Sequence, residues 1–153
     1  MKQLEVRRHA RRDPTADRLT PQGRSEAEDL GRSAAGTRYD VVFVSPAARA
    51  AETAAWFLRG AGLQLRHHEV IPGLAGRDAS GGSPEGVAAG FRLLLERVPD
   101  GGRGIAFGHT PLVERGAFGL SDRRIEPLAE LEGILITLAD DGAVAVDELR
   151  LSR

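Results

Sequence analysis

Gln3-Leu4-Glu5-Val6-Arg7-Arg8-His9, followed by the polar run 10–18, is the stretch on which the fold turns. Leu4 and Val6 alternate with charged neighbours, which is the period of a strand. The alternation stops at Arg8-His9, and the residues after it carry no periodic pattern, so a strand is expected at 3–8 and a structureless run at 10–18. An imidazole with a guanidinium beside it is the minimum equipment for taking a phosphoryl group. Two later stretches repeat the arrangement: Ser45-Pro46-Ala47-Ala48-Arg49-Ala50-Ala51-Glu52-Thr53-Ala54 after a strand-like run at 39–44, and Gly108-His109 after another at 103–107.

Further strands are expected at 63–70, 133–139 and 143–149, the last two joined by the turn signal Asp140-Asp141-Gly142. Helix starts are marked by a capping residue followed by proline at the first helical position: Thr20-Pro21, Ser45-Pro46, Ser83-Pro84 and Thr110-Pro111. The helix after Thr20 places Ala27, Leu30 and Ala34 on one stripe. The helix after Ser45 does so with Ala50, Thr53, Ala54, Phe57 and Leu58, before Gly60-Ala61-Gly62 ends it. Residues 72–82 have four glycines and no apolar period, and are expected to form a loop. Alternating strands and helices imply an α/β fold: a single-domain three-layer α/β/α sandwich, mostly parallel, with helices on both faces and a C-terminal hairpin.

Composition is compatible with one such domain spanning 1–153, long enough to bury most of its surface around a single core. The formal net charge of -1 and the scattered arginines give no reason to expect nucleic acid or a membrane surface as partner. Without cysteine there is no thiolate nucleophile or sulfur-ligated metal. Glu5 stands where a secretory apolar stretch would lie, and no run approaches a membrane span, so a soluble, cytoplasmic protein is expected. Oligomeric state has no signature in the sequence.

Ligands of open parallel sheets gather beyond the carboxyl ends of the strands, which is where this reading puts His9, Ser45 and His109. Arg49 falls in the first turn of its helix, where its side chain would join the N-H groups of the helix terminus in facing an anion. Taken singly, Arg8-His9 is compatible with a surface dipeptide, Arg49 with a helix-surface cation and His109 with a capping or packing residue. Their common sheet edge is what joins them.

With those residues in hand, the chain resembles the histidine phosphatase superfamily, most of all the small bacterial phosphohistidine phosphatases. The family's Arg-His-Gly signature reads Arg8-His9-Ala10, and its Leu-Thr-x-x-Gly helix start reads Leu19-Thr20-Pro21-Gln22-Gly23. Its Ser-Pro-x-x-Arg-x-x-x-Thr-Ala motif matches Ser45, Pro46, Arg49, Thr53 and Ala54, and its second histidine matches Gly108-His109. Two departures stand out. Ala10 replaces a glycine, at a cost on the order of 1 kcal/mol if the backbone there has positive φ. The glutamate that many larger relatives use as general acid is missing from Leu74-Ala75-Gly76-Arg77-Asp78, with Asp78 and Glu85 as candidate substitutes. Each of these is also readable as a loop solubiliser and a first-turn helix acid.

The resemblance implies a metal-independent phosphatase without cofactor, in which His9 is phosphorylated and the phosphohistidine then hydrolysed. Arg8, Arg49 and His109 would surround the phosphoryl oxygens, with Thr20 and Arg11 as further substrate-binding candidates. Arg11 and Arg12 are also readable as solvated loop residues. His67-His68 is not read as a metal pair, because adjacent strand residues point to opposite faces. The expected partner is a phosphorylated substrate, either a phosphoprotein or a small phosphate ester. Two rival classes are a metal-dependent hydrolase, which no HxH or HxxxH pairing supports, and a catalytically silent phosphate-binding module.

Overall fold

The computed structural model describes residues 1–64, 67–76 and 82–152. Along the chain these form β1 (Lys2–Arg8), α1 (Pro21–Ser33), β2 (Val41–Val44), α2 (Ala48–Gly60), β3 (Glu69–Val70), one turn of 3-10 helix (Pro72–Ala75), α3 (Pro84–Glu96), β4 (Arg103–Gly108), α4 (Leu112–Ser121), β5 (Gly133–Leu138) and β6 (Val144–Leu149). The strands make one sheet in the order β3-β2-β4-β1-β5-β6. β1, β2, β3 and β4 run parallel, while β5 and β6 form an antiparallel hairpin added at β1. This is the α/β fold with a mostly parallel sheet that the alternation of signals implies.

Period-two alternation sends neighbouring side chains of β4 to opposite faces. Ala106 joins Leu4, Val6 and Phe43 in a core closed by Val87, Phe91 and Leu95 of α3 and by Val113 and Ala117 of α4. Ile105 and Phe107 instead join Val44 beneath Ala50, Ala54 and Phe57 of α2. A third cluster, Ala10, Leu19, Ala27 and Leu131, lies behind the strand ends, with Trp56 packed against it. Among the described residues no helix is long and apolar enough to cross a membrane.

Glu5, only 1% exposed, is a charged residue buried beneath the sheet's apolar layers. Its carboxylate accepts from Arg7 Nε, from Arg103 Nη2 at 2.6 Å and from the Tyr39 hydroxyl at 3.1 Å. Burial opposes the charge, but the two guanidinium groups outweigh it and hold the carboxyl below its ordinary range.

Four expectations from sequence are corrected. Ser45 does not cap α2: the helix begins at Ala48, and the serine hydroxyl is engaged by His109 instead. Thr110 does not cap α4 either, since Pro111 takes the N-cap position and the threonine hydroxyl donates to Glu114. The strand expected at 63–70 is confined to Glu69–Val70 among the described residues, so His67 and His68 lie outside any strand. The run 10–18 is not structureless, because Arg12 bridges Leu19 and Asp13 N-H donates to Arg18 O at 2.8 Å.

Helices α1 and α2 meet backbone to backbone through two glycines. A Cβ on Gly31 would stand 1.9 Å from Phe57 O, and one on Gly60 would stand 1.9 Å from Glu28 O. Overpacking of this kind typically costs about 1–3 kcal/mol. Gly90 of α3, by contrast, has open space around its missing Cβ, where alanine gains up to about 1 kcal/mol of helix propensity. Thermal denaturation should therefore show Gly31→Ala melting several degrees below the wild type and Gly90→Ala melting at or above it. Equal melting temperatures for the two variants would contradict the close approach of α1 and α2.

Candidate active site

Three strand ends are held level by the sheet itself. His9 N-H donates to Gly108 O at 3.0 Å and Ser45 N-H to Phe107 O at 3.0 Å, extending the β1–β4 and β2–β4 ladders by one rung each. The residues that follow β1, β2 and β4 therefore share one edge, and His9, Arg49 and His109 come together there.

His9 is 6% exposed and is clamped by its own neighbour. Nδ1 lies 2.7 Å from Ala10 O, a bond in which only the ring nitrogen can donate, so Nε2 carries the lone pair. Arg49 Nε donates to that Nε2 at 3.3 Å. The Ala10 N-H is fixed by Thr53 Oγ1 at 3.0 Å, and the threonine hydroxyl donates in turn to Arg49 O at 2.7 Å. Thr53 thus ties the turn that presents His9 to the helix that presents Arg49. Ala10 has no positive φ and is fully buried, so alanine in place of glycine carries no backbone strain here.

His109 stands edge-on to His9 with ring centroids 5.3 Å apart. Arg49 Nη2 approaches its Nδ1 at 3.4 Å. Because a guanidinium only donates, the proton belongs on Nε2, which lies 2.6 Å from Ser45 Oγ. Burial pushes the His9 ring below its ordinary value against the opposing Ala10 hydrogen bond, helped by Arg49, Arg8 and Arg12. For His109 burial and Arg49 lower the value to about 4. Two neutral imidazoles thus face a cluster of fixed cations.

Arg8 is anchored by Nη1 to Leu128 O at 2.8 Å, and its buried Nε has no hydrogen-bond partner. Thr20 and Arg11 are engaged elsewhere. Thr20 caps α1 by accepting from Gly23 N-H at 3.0 Å, and Arg11 Nε donates to Glu26 at 2.8 Å. Like Arg8 and His9, neither is among the residues lining the cleft of about 380 Å³ beside His109, whose walls include Asp17, Ala47, Arg49, Ala75 and Thr110. Glu85 is exposed in the first turn of α3 and does not line it, and Asp78 lies outside the described residues. Among the described residues no group of three or more His, Asp or Glu side chains is arranged to hold a metal ion.

Asp17 is the residue that sequence reasoning missed. Its carboxylate accepts from Ala48 N-H at 2.8 Å, from Arg49 N-H at 3.1 Å and from Arg49 Nη1 at 2.9 Å. With Ala47 N-H satisfied by Ser45 Oγ at 3.1 Å, the first donors of α2 are already taken. The expectation that this helix terminus faces an incoming anion is corrected accordingly: it faces an anion of the chain's own.

Comparison with known proteins follows the same geometry. A family model described as the histidine phosphatase superfamily (branch 1) matches residues 3–91. No curated protein matches at the sequence level. Among solved structures, the protein histidine phosphatase SixA complexed with tungstate shares 24% identity at a TM-score of 0.75, covering 97% of this chain and 96% of that one. A phosphoserine phosphatase mutant from Entamoeba histolytica in complex with phosphoserine shares 15% at 0.77, covering 97% of each chain. YhfR of Bacillus stearothermophilus shares 14% at 0.78, covering 99% of this chain and 98% of its own. At these identities the structural likeness speaks for the fold, and the matched motifs speak for the family. The chain, by its family match over residues 3–91, belongs to the histidine phosphatase superfamily.

Proposed function

We propose that residues 1–153 act as one catalytic domain, a metal-independent phosphatase that passes through a phosphohistidine on His9 and acts on phosphohistidine in proteins. The observation that carries this reading is the nucleophile's geometry. His9 Nδ1-H is fixed on Ala10 O, and the lone pair of Nε2 accepts from Arg49 Nε. A phosphoryl oxygen entering between them would meet the guanidinium as Nε2 meets phosphorus.

In the first step Nε2 attacks phosphorus in line, the new P–N bond forms and the bond to the leaving group breaks with its electron pair going to that group. The positive ring that results is stabilised by the Nδ1-H bond to Ala10 O. Arg8, Arg49 and His109 spread the charge of the three equatorial oxygens, His109 by a ring proton where the phosphoryl group displaces its present partners. Water then attacks phosphorus, and Nε2 leaves with the electron pair, restoring neutral His9.

The leaving group decides the substrate class. An alkoxide expelled from an alkyl phosphate is basic and gains roughly 10²- to 10⁴-fold from a placed acid. The one carboxylate among the described residues lining the cleft is Asp17, which is held ionised by three donated hydrogen bonds. A phosphorylated imidazole needs no such acid, because it departs as neutral histidine with its other nitrogen already protonated. This favours phosphohistidine over sugar phosphates and phosphoserine.

Three outcomes are expected. His9→Ala should abolish turnover of a phosphohistidine peptide and remove an acid-labile phosphoenzyme that the wild type forms on brief exposure to labelled substrate; normal activity would overturn the assignment. Arg49→Ala should lower kcat by two or more decades, since one such donor is worth about 3 to 4 kcal/mol in the transition state, whereas EDTA should leave the wild type unaffected. If sugar phosphates prove the better substrates, and Glu85→Gln or Asp78→Asn lowers their kcat a hundredfold, the phosphohistidine reading gives way to a small-molecule phosphomonoesterase.

The protonation state supplies a further check. His109 in the folded chain lies at about 4, below an unfolded value of roughly 6.5, so the unfolded chain binds its proton first as pH falls. Between these two values folding loses stability with falling pH on account of this residue. An NMR titration should place the His109 ring midpoint near 4 and that of His9 below the ordinary histidine range. A His109 midpoint near 6.5 would contradict the buried, guanidinium-flanked arrangement.

A further inference from the structure

Arg49 is asked to do several things with one guanidinium. Nε faces His9, Nη2 faces His109 and Nη1 is bound by Asp17. The first two directions bracket the space between the rings, and the third points away from it. Left alone, a long arginine side chain samples many rotamers, and ordering it costs conformational entropy. Asp17 holds both ends of that side chain: Oδ1 accepts from Arg49 N-H and from Nη1 together, while Oδ2 accepts from Ala48 N-H.

Asp17 is itself presented by a braced turn. Asp13 accepts from Thr15 N-H at 2.8 Å, from the Thr15 hydroxyl at 2.8 Å and from Arg18 Nε at 3.0 Å. Leu19 N-H donates to Glu52 of α2 at 2.9 Å, and Glu52 pairs with Arg24 of α1. The turn is thereby tied to the two helices it lies between. Partial burial would raise the Asp17 carboxyl, but the N-H groups of Ala48 and Arg49 and the guanidinium hold it down to about 2, so its charge is permanent.

Building on the phosphatase reading, we propose that Asp17 is a positioning residue, which fixes Nη1 of Arg49 so that Nε and Nη2 stay aimed at the phosphoryl group between His9 and His109. It touches no reacting atom. Its effect on turnover passes through Arg49.

The test pairs a direct readout of Arg49 with a mutant cycle. In the wild type, ¹⁵N relaxation should show the Arg49 Nε-H as ordered as the surrounding backbone, and in Asp17→Asn as mobile, in a spectrum otherwise that of the folded protein. With p-nitrophenyl phosphate, Asp17→Asn should lower kcat by roughly 10- to 100-fold, the scale of a small misplacement, with a lesser change in KM. In an Arg49→Ala background the same substitution should change kcat less than twofold, because residues acting as a unit are not additive. An equally ordered Nε-H in Asp17→Asn, or losses that multiply, would overturn the proposal. A wild type that turns over no phosphate compound would end the phosphatase reading instead, and the relaxation data would still decide whether Asp17 orders Arg49.

Discussion

Two main-chain hydrogen bonds, His9 N-H to Gly108 O and Ser45 N-H to Phe107 O, fix the height at which three strands stop. Everything chemical in the molecule depends on that registration. A ladder advances by about 3.3 Å per residue and turns each successive side chain to the other face, so a slip of one residue in β1 would carry His9 out of reach of Arg49. β4 lies between β1 and β2 and pairs with both, which makes Gly108 and Phe107 the common reference for the two sides of the site. The buried Glu5 network pins the same strands further back, where Arg103 of β4 and Arg7 of β1 share one carboxylate. Apolar packing holds the layers together, but it is this polar registration that sets side chains against each other.

Charge at this sheet edge is arranged by subtraction. Burial and nearby guanidinium groups keep both imidazoles neutral, so the permanent cations are arginines alone. The amide donors at the start of α2, often the obvious anion site in such a fold, are spent on Ser45 and Asp17. What is left at this edge is a set of side-chain groups carried by the residue after β1, the residue after β4 and the first turn of α2. The carboxylate of Asp17 also tempers Arg49 at the mouth of the cleft, where it is partly exposed.

Much of this was readable in the sequence because the signals were local. Leu4 and Val6 announce β1, Thr20-Pro21 and Ser83-Pro84 do cap α1 and α3, and the stripe from Ala50 to Leu58 is the buried face of α2. Thr110 and the run 10–18 find partners close in the chain, but two of the failures share another cause, a partner distant in it. Ser45-Pro46 has the same local signature as Ser83-Pro84, yet His109, 64 residues further on, engages the first serine hydroxyl, whereas the second accepts from Gly86 N-H of the helix it caps. Asp17 was invisible for the same reason, since its partners are amides of a helix that only packing brings near. Residues 63–70 have the composition of a strand, but among the described residues of that stretch only Glu69 and Val70 find a neighbour in β2. Gly23 in the Leu-Thr-x-x-Gly motif has its reason in three dimensions too: a Cβ there would stand 2.3 Å from Arg11 O, where the chain after the nucleophile crosses α1.

The brevity of β3 bears on how the molecule keeps to itself. An outer strand with a long row of free amides and carbonyls invites another chain to pair with it, and such growth ends in aggregates. Among the described residues the β3 edge offers two residues, and Gly62, Leu63, Gln64 and His67 share a surface cleft with the start of β2. At the other edge β6 carries Asp147 and Glu148, and Arg150 follows at once, folded back onto Glu132 and Glu148. A sheet with one edge cut short and the other studded with charge resists adding a seventh strand from a neighbour.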